Sequence, residues 1–340
     1  MIELESEASS YRVGLAFNLK KGIKGSVEDI EAEYDSIDTV MAIKNALESI
    51  GCRVELMEAD HSFLDKLRQV HVDIVFNIAE GLGGRGREAH IPAILSFLGI
   101  PFTGSDETTL CIALDKALTK RLLTSFRILT PKHQLISHEG ERIRRDLRFP
   151  LIVKPNAEGS SKGISSMAVV DNMEQLKSLL ERNFRLYGQP MLIEEFIPGR
   201  EFTVGVIGNG HETRVFSPME IVYKEDRDGK NIYSFEVKKD YKKYVEYVCP
   251  PDLSPELQKK LMDIAGKIYR VLQCRDFARM DFRMSKDNRF YFIEINPLPG
   301  LAPGYSDYPM IAEFCGVEYN TVIKMILNSA LKRYGMAPVM

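Results

Sequence analysis

Two alternating runs in the C-terminal third of the chain constrain its fold more than any other feature. FARMDFRM (277–284) and RFYFIEINP (289–297) interleave polar residues with apolar ones, and SKDN (285–288) between them has the composition of a turn. Two short β-rich runs joined by turn residues predict a β-hairpin. The chain must therefore accommodate an antiparallel strand pair near its C-terminal end.

The polar residues of this hairpin fall on shared faces. Because side chains of a strand point to alternate sides, Arg279 shares a face with Asp281, and Glu294 shares a face with Asn296. Burying such groups costs free energy unless they hold a charged ligand. Carboxylate and amide oxygens suit Mg²⁺, which completes its octahedral shell with phosphate oxygens. A solvent-facing strand pair with ordinary ion pairs is the alternative that the hairpin alone leaves open.

A second candidate site is the glycine- and serine-rich loop NAEGSSKG (156–163), which follows the apolar run PLIVKP and its Lys154. Loops of small residues let backbone N–H groups approach phosphate closely, and a lysine adds positive charge. The chain contains no GxxxxGK[ST] sequence, so this is not a Walker A loop. We interpret it as a lid over nucleotide phosphates that faces the Mg²⁺ hairpin; a plain surface turn is the alternative.

MLIEEFIPGREFTV (191–204) supplies two further carboxylates. Glu194 stands near the end of an apolar run, and Glu201 follows a Pro-Gly turn. A segment that connects two lobes can hydrogen-bond an adenine edge through its backbone and a ribose through a carboxylate. The segment is therefore a candidate nucleotide contact, although Pro-Gly is also common in purely structural turns.

The glycines of GLGGRG (81–86) match the GxGxxG pattern of dinucleotide-binding folds, and Asp106 stands twenty residues beyond the last of them. The motif follows the third predicted strand, however, whereas the dinucleotide pattern follows the first. A dehydrogenase therefore stays an alternative without further support from the chain. We expect the loop to border a substrate pocket in which Arg85 and Arg87 are available for carboxylates.

The first hundred residues alternate short β-rich runs with amphipathic stretches, which predicts a parallel α/β sheet. The expected strands are 12–19, 53–59 and 72–78, and the expected helices are 36–50 and 88–98. From about residue 110 the pattern changes to that of a small α+β lobe, and a further α+β lobe contains the hairpin and two closing helices. A chain of 340 residues is long enough for two or three such lobes.

Composition argues against several classes of function. With 45 Lys and Arg against 48 Asp and Glu, the net charge of −3 lacks the positive footprint of a nucleic-acid binder. No run approaches the roughly 18 apolar residues of a membrane span. The first residues, MIELESEASSYR, are acidic where an export signal is basic and then apolar, so we expect a cytoplasmic protein. Five scattered cysteines indicate neither a disulfide framework nor a zinc site.

Six motifs, taken in order, resemble those of the D-alanine–D-alanine ligase family of ATP-grasp enzymes over nearly the whole chain. They are PFTGSD, DKALTKRLL, VKPNAEGSSKG, IEEFIPGREFTV, ARMDF and FIEINPLPG. The resemblance implies an ATP-grasp fold in three parts, 1–110, 111–205 and 206–340, with ATP between the last two. It implies a carboxylate–amine ligase that forms a dipeptide or related amide through an acyl phosphate. It also implies small amino-acid-like substrates and a homodimer.

The resemblance assigns roles to individual residues. ATP would be bound by Lys116, Lys154, Glu194, Glu195, Ile197, Glu201 and Lys238. Two Mg²⁺ ions, which Mn²⁺ could replace, would be held by Asp281, Glu294 and Asn296. The oxyanion of the tetrahedral intermediate would be stabilised by Arg279 and the Gly300 backbone, and the tip of the lid would be Ser160. These roles agree with phosphoryl transfer to a carboxylate followed by attack of an amine.

The residues expected to bind the donor, the amino acid whose carboxylate is activated, depart from the family pattern. The family's glutamate for the first amino group has no clean counterpart in EAEYDS, and Glu33, Tyr34 or Asp35 could take its place. NIAEGLGG replaces the family's histidine loop, which makes Glu80 a candidate substrate contact. The resemblance therefore predicts the activation chemistry more firmly than the identity of the acid.

The residues expected to bind the acceptor, the amino acid whose amine attacks, also depart from the family pattern. Lys239 occupies the position of a family tyrosine, and Ser306 matches the family's acceptor-carboxylate serine only with one extra residue in GLAPGYSDYP. A lysine cannot accept a hydrogen bond and adds charge. We therefore expect an acidic or larger acceptor, and slower coupling of D-alanine to itself than of some other pair. If Lys239 instead points to solvent, Tyr241 could take the tyrosine's role.

Three function classes follow from these patterns. The ligase accounts for all the motifs together, the dehydrogenase only for the glycine pattern. A nucleotide-binding regulatory protein without catalysis is the third class, and the presence of both Arg279 and Asn296 argues against it.

Overall fold

Three parallel strands form the first sheet of the computed structural model, which describes residues 11–22, 31, 33–159, 168–225 and 230–340. The strands are β1 (Arg12–Phe17), β2 (Arg53–Glu58) and β3 (Ile74–Asn77), in the order β2-β1-β3. The accompanying helices are α1 (Ile37–Ser49), α2 (Phe63–Gln69) and α3 (His90–Leu98). The predicted parallel α/β arrangement of the first hundred residues is confirmed.

Helix α1 shows how the local sequence sets these elements. Ser36 caps it by accepting a hydrogen bond from the backbone N–H of Thr39 at 3.2 Å, which satisfies one of the free donors of the first turn. Val40 and Leu47 stand at helical spacing and are fully buried. Gly51 follows the helix with a φ of 83°, a conformation in which glycine ends a helix at little cost.

Two helices lead to a second sheet, which is the predicted small α+β lobe. They are α4 (Glu107–Leu114) and α5 (Lys116–Ser125). The sheet contains β4 (His133–Ile136), β5 (Leu151–Pro155), β6 (Val169–Val170) and β7 (Met191–Glu195), in the antiparallel order β4-β7-β5-β6. Helix α6 (Met173–Tyr187) packs on it through Leu176 and Leu180, which share a hydrophobic core with Leu151 and Val153.

The third sheet holds the predicted hairpin. Its strands are β8 (Arg200–Ile207), β9 (Arg214–Val215), β10 (Met219–Tyr223), β11 (Val245–Val248), β12 (Phe277–Met284) and β13 (Phe290–Asn296). Their antiparallel order is β11-β10-β8-β12-β13, with β9 paired to β8. The helices are α7 (Phe235–Lys239), α8 (Tyr241–Tyr244), α9 (Pro255–Val271), α10 (Asp307–Phe314) and α11 (Tyr319–Arg333). Because β8 lies wholly in this sheet, the change from the second sheet to the third falls before residue 200.

The first and third sheets are held together by one hydrophobic core. Val40 and Ile43 of α1 lie in the same buried cluster as Ile323 and Ile326 of α11. Full burial of a side chain of this size stabilises a fold by roughly 1.5–3 kcal/mol. The contact between the first and the last long helix therefore fixes the first sheet beside the hairpin. Of the helices described, none has the length and apolar composition needed to cross a bilayer.

Candidate active site

The register of the β12–β13 hairpin brings its polar side chains opposite one another. Arg279 pairs with Asn296, and Asp281 pairs with Glu294. Met280, between the two polar residues of β12, points to the opposite face and is fully buried in the apolar core. The period-two pattern of the strands thus separates a polar face from the core.

Arg279 is held between two carboxylates. Its Nε and Nη2 donate to Asp281 at 3.1 and 2.9 Å, and its Nη1 lies 3.3 Å from the carboxylate of Asp307. Burial alone would lower the pKa of the guanidinium, but the two carboxylates outweigh burial and raise it. Asp307 also accepts a hydrogen bond from Tyr233 at 3.1 Å, so the guanidinium is fixed from both sides in a single orientation. The sequence interpretation did not identify Asp307.

A buried carboxylate between two lysines lies next to the hairpin. Glu194 is 2.8 Å from the ammonium of Lys120 and 2.7 Å from that of Lys154, and all three side chains are at most 2% exposed. Burial would raise the pKa of Glu194, but the two ammonium groups lower it to about 2. Burial lowers the pKa of Lys120 to about 8. Lys120 was not predicted; its signal in the sequence is its place one helical turn after Lys116.

Lys116 reaches the start of the glycine- and serine-rich loop. Its ammonium donates to the backbone carbonyl of Glu158 and lies 3.5 Å from the carboxylate of Glu294. Asn156 fixes this loop to the start of α5, because its side chain donates to Asp115 at 2.8 Å and accepts from the Ala117 N–H at 2.9 Å. Lys116 thereby connects the phosphate-lid candidate to the hairpin. Ser160, the predicted lid tip, lies outside the described residues.

The predicted nucleotide contacts other than Lys116 line one narrow cavity beside Glu194 and its two lysines. Glu201 accepts hydrogen bonds from Tyr223 at 2.7 Å and from Arg283 at 2.8 Å, and burial raises its pKa. The Ile197 carbonyl accepts from Arg283 at 2.6 Å, and Glu195 accepts from the backbone N–H of Arg148 at 3.0 Å. The predicted residues that line this cavity are Lys154, Glu194, Glu195, Ile197, Glu201, Lys238, Arg279, Asp281 and Glu294.

A second cavity of about 400 Å³ lies between the first sheet and the hairpin. Predicted residues from both parts of the chain line it, and these are Tyr34, Asp35, Glu80, Lys116, Lys238, Arg279, Asn296, Gly300 and Ser306. The narrow cavity and this one share Lys238 and Arg279. The two cavities therefore meet at the guanidinium that the carboxylates fix in place.

Gly300 and Ser306 approach each other closely at the edge of the larger cavity. A Cβ atom at Gly300 would lie 2.8 Å from the Ser306 hydroxyl, so only glycine fits here without displacement. The hydroxyl accepts a hydrogen bond from the Ala302 N–H at 3.1 Å, and Tyr241 donates to the Gly304 carbonyl at 3.2 Å. The extra residue in GLAPGYSDYP is accommodated by this loop.

Lys239 is not brought to either cavity. It is exposed, whereas its neighbour Lys238 lines both cavities. Successive residues of a helix point about 100° apart, so only one of the two lysines can face the site. The described residues therefore give no support to Lys239 as a substrate contact or to a cationic rim at this position.

Arg85 of GLGGRG and Arg87, which follows this motif, contact carboxylates of the protein itself. Arg85 lies 2.6 Å from Asp115, and Arg87 lies 2.5 Å from Glu33 and 3.2 Å from Glu158. Glu80 and Glu88, which flank the loop, line the larger cavity, whereas residues 81–86 do not. Arg87, however, is a buried structural link between the first sheet and the lid segment.

The oxygen ligands on the hairpin suit a divalent cation that is also coordinated by phosphate oxygens. No set of three or more His, Cys, Asp or Glu side chains within the described ranges could hold a metal alone. Two carboxylates and one amide stand together instead, and the Asn296 Nδ2 is buried without a hydrogen-bond partner in that part of the chain. Burial raises the pKa of Asp281, so a bound cation would favour its charged form. The residues fit Mg²⁺.

Comparisons with known proteins agree with this site. The family model described as the D-Ala–D-Ala ligase C-terminus matches residues 123–328. A D-alanine–D-alanine ligase of Aquifex aeolicus is 34% identical over 300 residues, which cover 86% of this chain and 94% of that protein. One of Thermotoga maritima is 32% identical over 295 residues, covering 86% and 92%.

Solved structures share the fold. A crystal structure of a D-alanine–D-alanine ligase from Bacillus anthracis complexed with ATP superposes with a TM-score of 0.75 over 96% of this chain and 99% of that one, at 22% identity. A D-Ala:D-Ser ligase from Enterococcus faecalis gives 0.74 over 94% and 99%, at 19% identity. At these identities the likeness establishes the architecture alone.

The architecture and the site together define an ATP-grasp ligase, an enzyme that forms a C–N bond. Enzymes of this class generally use ATP and Mg²⁺. By the identity and coverage of its relatives, the chain belongs to the D-alanine–D-alanine ligase family. The dehydrogenase interpretation of GLGGRG has no support.

Proposed function

We propose that this chain uses ATP to convert a small amino acid into an acyl phosphate and joins it to the amine of a second amino acid, with D-alanine accepted in at least one position. The relatives named D-alanine–D-alanine ligase support this substrate class. The observation that carries the mechanism is the position of Arg279 where the two cavities meet. A guanidinium there reaches both the transferred phosphate and the activated carboxyl group.

In the first step, a donor carboxylate oxygen attacks the γ-phosphorus of ATP, and the bond to the ADP oxygen breaks. Lys116 and Lys154 would neutralise charge on the phosphates. Asp281, Glu294 and Asn296 would hold Mg²⁺ as two ions, and Mn²⁺ could replace it. The bound ions would neutralise charge that develops on the transferred group.

The nucleotide would lie in the narrow cavity. We place the adenine against the backbone near Glu195 and Ile197, and the ribose hydroxyls against the carboxylate of Glu201. Glu194 holds Lys154 toward the phosphates, which its 2.7 Å ion pair supports. Lys238 would add a further contact to the nucleotide at the junction of the two cavities.

In the second step, the acceptor amine attacks the carbonyl carbon, the C–N bond forms, and the C–O bond to phosphate breaks. Arg279 and the Gly300 N–H would stabilise the oxyanion of the tetrahedral intermediate. The Ser306 hydroxyl would bind the acceptor carboxylate. The lid with Ser160 at its tip would exclude water from the acyl phosphate.

The donor would lie at the opposite end of the larger cavity, where Tyr34, Asp35 and Glu80 line the wall. We further propose that the chain acts in the cytoplasm as a homodimer, with residues 1–110, 111–199 and 200–340 as its three working parts; the last boundary is moved from 205 because β8 pairs only within the third sheet. Light scattering after size exclusion would test the dimer: a monomer mass at micromolar concentration would overturn it.

A product assay tests the function. Purified enzyme is incubated with ATP, Mg²⁺ and pairs of amino acids that include D-alanine alone and D-alanine with D-serine. We expect ADP, phosphate and a peptide in equal amounts, and no product from Arg279→Ala. AMP and pyrophosphate as products, or no turnover with any pair, would overturn the proposal.

The same assay tests the substrate prediction made from the sequence. We expect D-alanine alone to be coupled more slowly than another pair. A kcat/KM of about 10⁴ M⁻¹s⁻¹ or more for D-alanine alone, with every other pair slower, would refute that prediction.

A further inference from the structure

An excess of carboxylates lines the donor end of the larger cavity. Asp35 follows β1, Glu80 follows β3, and Glu88 lies in the short helical turn before α3. All three line the cavity. We call Asp35, Glu80 and Glu88 the donor-end carboxylates.

Arg87, whose charge acts on Glu80 and Glu88, is already paired with other carboxylates. Arg87 donates to Glu33 through Nε at 3.2 Å and Nη2 at 2.5 Å, to the Ala157 carbonyl at 2.8 Å, and to Glu158 at 3.2 Å. Glu33 also accepts from the Gly159 N–H. Glu33, the remaining acidic candidate for the family's amino-group contact, is therefore tied to the lid segment and not free for a ligand.

The donor-end carboxylates have no such partners. Within the ranges that the structure describes, no side-chain hydrogen bond or ion pair is made by any of the three. Glu88 is only 8% exposed and lines the cavity. A carboxylate buried to this degree without a partner costs free energy, and a cationic ligand would offset that cost. Among the described residues, no three His, Cys, Asp or Glu side chains are grouped so that they alone could hold a metal ion, so the donor-end carboxylates favour an organic cation.

The pKa values of the donor-end carboxylates are consistent with binding of a cationic ligand. Burial raises the pKa of Asp35 to about 7, with Lys20 opposing, and raises that of Glu88 to about 7, with Glu33 adding to the effect and Arg87 opposing it. Burial and the neighbouring Glu88 raise the pKa of Glu80 well above its ordinary value. With pKa values of about 7, Asp35 and Glu88 are partly protonated at neutral pH, so a bound cation would expel protons.

We propose that the donor substrate is an amino acid with a basic side chain, whose ammonium or guanidinium is bound by the donor-end carboxylates. An α-ammonium group needs only one carboxylate, and three line the wall. The inference rests on the proposed ligase function and replaces the small donor stated there by a dibasic amino acid. The Ser306 end keeps a small acceptor such as D-alanine.

The first experiment compares two donors of similar length on the wild-type enzyme. Lysine and 2-aminohexanoic acid, each as both enantiomers, are offered with D-alanine as the acceptor, and ADP and product mass are measured. We expect at least roughly tenfold higher kcat/KM for a lysine enantiomer, because a site with buried carboxylates rejects an analogue that leaves them unpaired. Equal or better use of 2-aminohexanoic acid would overturn the inference while leaving the ligase function intact.

A variant pair connects the preference to the carboxylates. Glu88→Gln should reduce the ratio of kcat/KM for lysine to kcat/KM for 2-aminohexanoic acid toward one. Glu55→Gln, at an exposed carboxylate on β2 of the same sheet, should leave the ratio unchanged. Thermal melting checks that Glu88→Gln is folded, and a folded Glu88→Gln with the wild-type ratio would refute the assignment of Glu88.

Calorimetry keeps the test independent of turnover. Lysine and 2-aminohexanoic acid are titrated into the wild-type protein at pH 7 in two buffers of different ionisation enthalpy. We expect more protons to be released on binding lysine than on binding 2-aminohexanoic acid, whose α-ammonium is its only cation. Absence of any proton release with lysine would overturn the inference, whereas a lack of turnover with every pair would overturn the ligase function alone.

Discussion

Replacing Glu194 by glutamine should destabilise the protein by about 3 kcal/mol at pH 7. The side chain keeps its size, but the ammonium groups of Lys120 and Lys154 lose a counter-charge that lies 2.8 and 2.7 Å away in a buried site. Removal of one partner of a buried ion pair costs about 3–5 kcal/mol. The pKa of Glu194 gives a similar figure, because the lysines lower it from 4.5 to about 2 against the effect of burial, at about 1.4 kcal/mol per pH unit.

Urea unfolding followed by circular dichroism measures the difference, with Asp263→Asn as the matched control. Asp263 lies 2.7 Å from Lys259, but both side chains are mostly exposed, so we expect that substitution to cost less than about 1 kcal/mol. The stabilisation from Glu194 is present above pH 4.5 and is lost as the pH falls toward 2. The difference in the free energy of unfolding between wild type and Glu194→Gln should therefore become smaller in acid. A gap below about 1 kcal/mol, or one that does not change with pH, would refute the reasoning.

Four further substitutions test the hairpin and the acceptor loop. Asp281→Ala and Glu294→Ala should each abolish Mg²⁺-dependent turnover with an unchanged circular-dichroism spectrum, and near-normal activity of both variants would show the metal assignment to be wrong. Arg279→Lys should lower kcat by about 100-fold or more in phosphate-release kinetics, and a smaller loss would count against its oxyanion role. Gly300→Ala should lower kcat/KM for the acceptor by up to about 100-fold, because its Cβ would crowd Ser306; unchanged acceptor kinetics would contradict this.

The hairpin could be predicted because its information is local. The polar residues of 277–284 alternate with apolar ones, and the period-two geometry of a strand converts that spacing into a face. The start of α1 at Ser36 is local as well, because the capping residue is visible in the sequence. The pairing of Asp281 with Glu294 is less so, because a β-bulge between Asp281 and Phe282 shifts the register that the short turn alone would give.

The remaining site residues depend on contacts between distant parts of the chain. Arg87 was expected to bind a substrate carboxylate, but Glu33, which is 54 residues away, holds it. Asp307 reaches Arg279 only because α10 packs beside the hairpin. Lys239 is the neighbour of Lys238, which lines both cavities. The orientation of the short helix α7 about its axis determines which of the two lysines faces the site. The spacing of residues within one helix or strand does not predict such contacts between distant parts of the chain.

The packing of α1 against α11 also has a consequence for synthesis on the ribosome. About 270 residues separate the end of α1 from the start of α11, which is roughly 15–50 s of translation at 5–20 residues per second. Throughout that interval the apolar face of α1 that carries Val40 and Ile43 lacks its final covering. We expect nascent chains to need chaperone protection until the last helix emerges. A chain truncated before Tyr319 should pellet in a sedimentation assay, and a soluble, monomeric truncated chain would argue against this dependence.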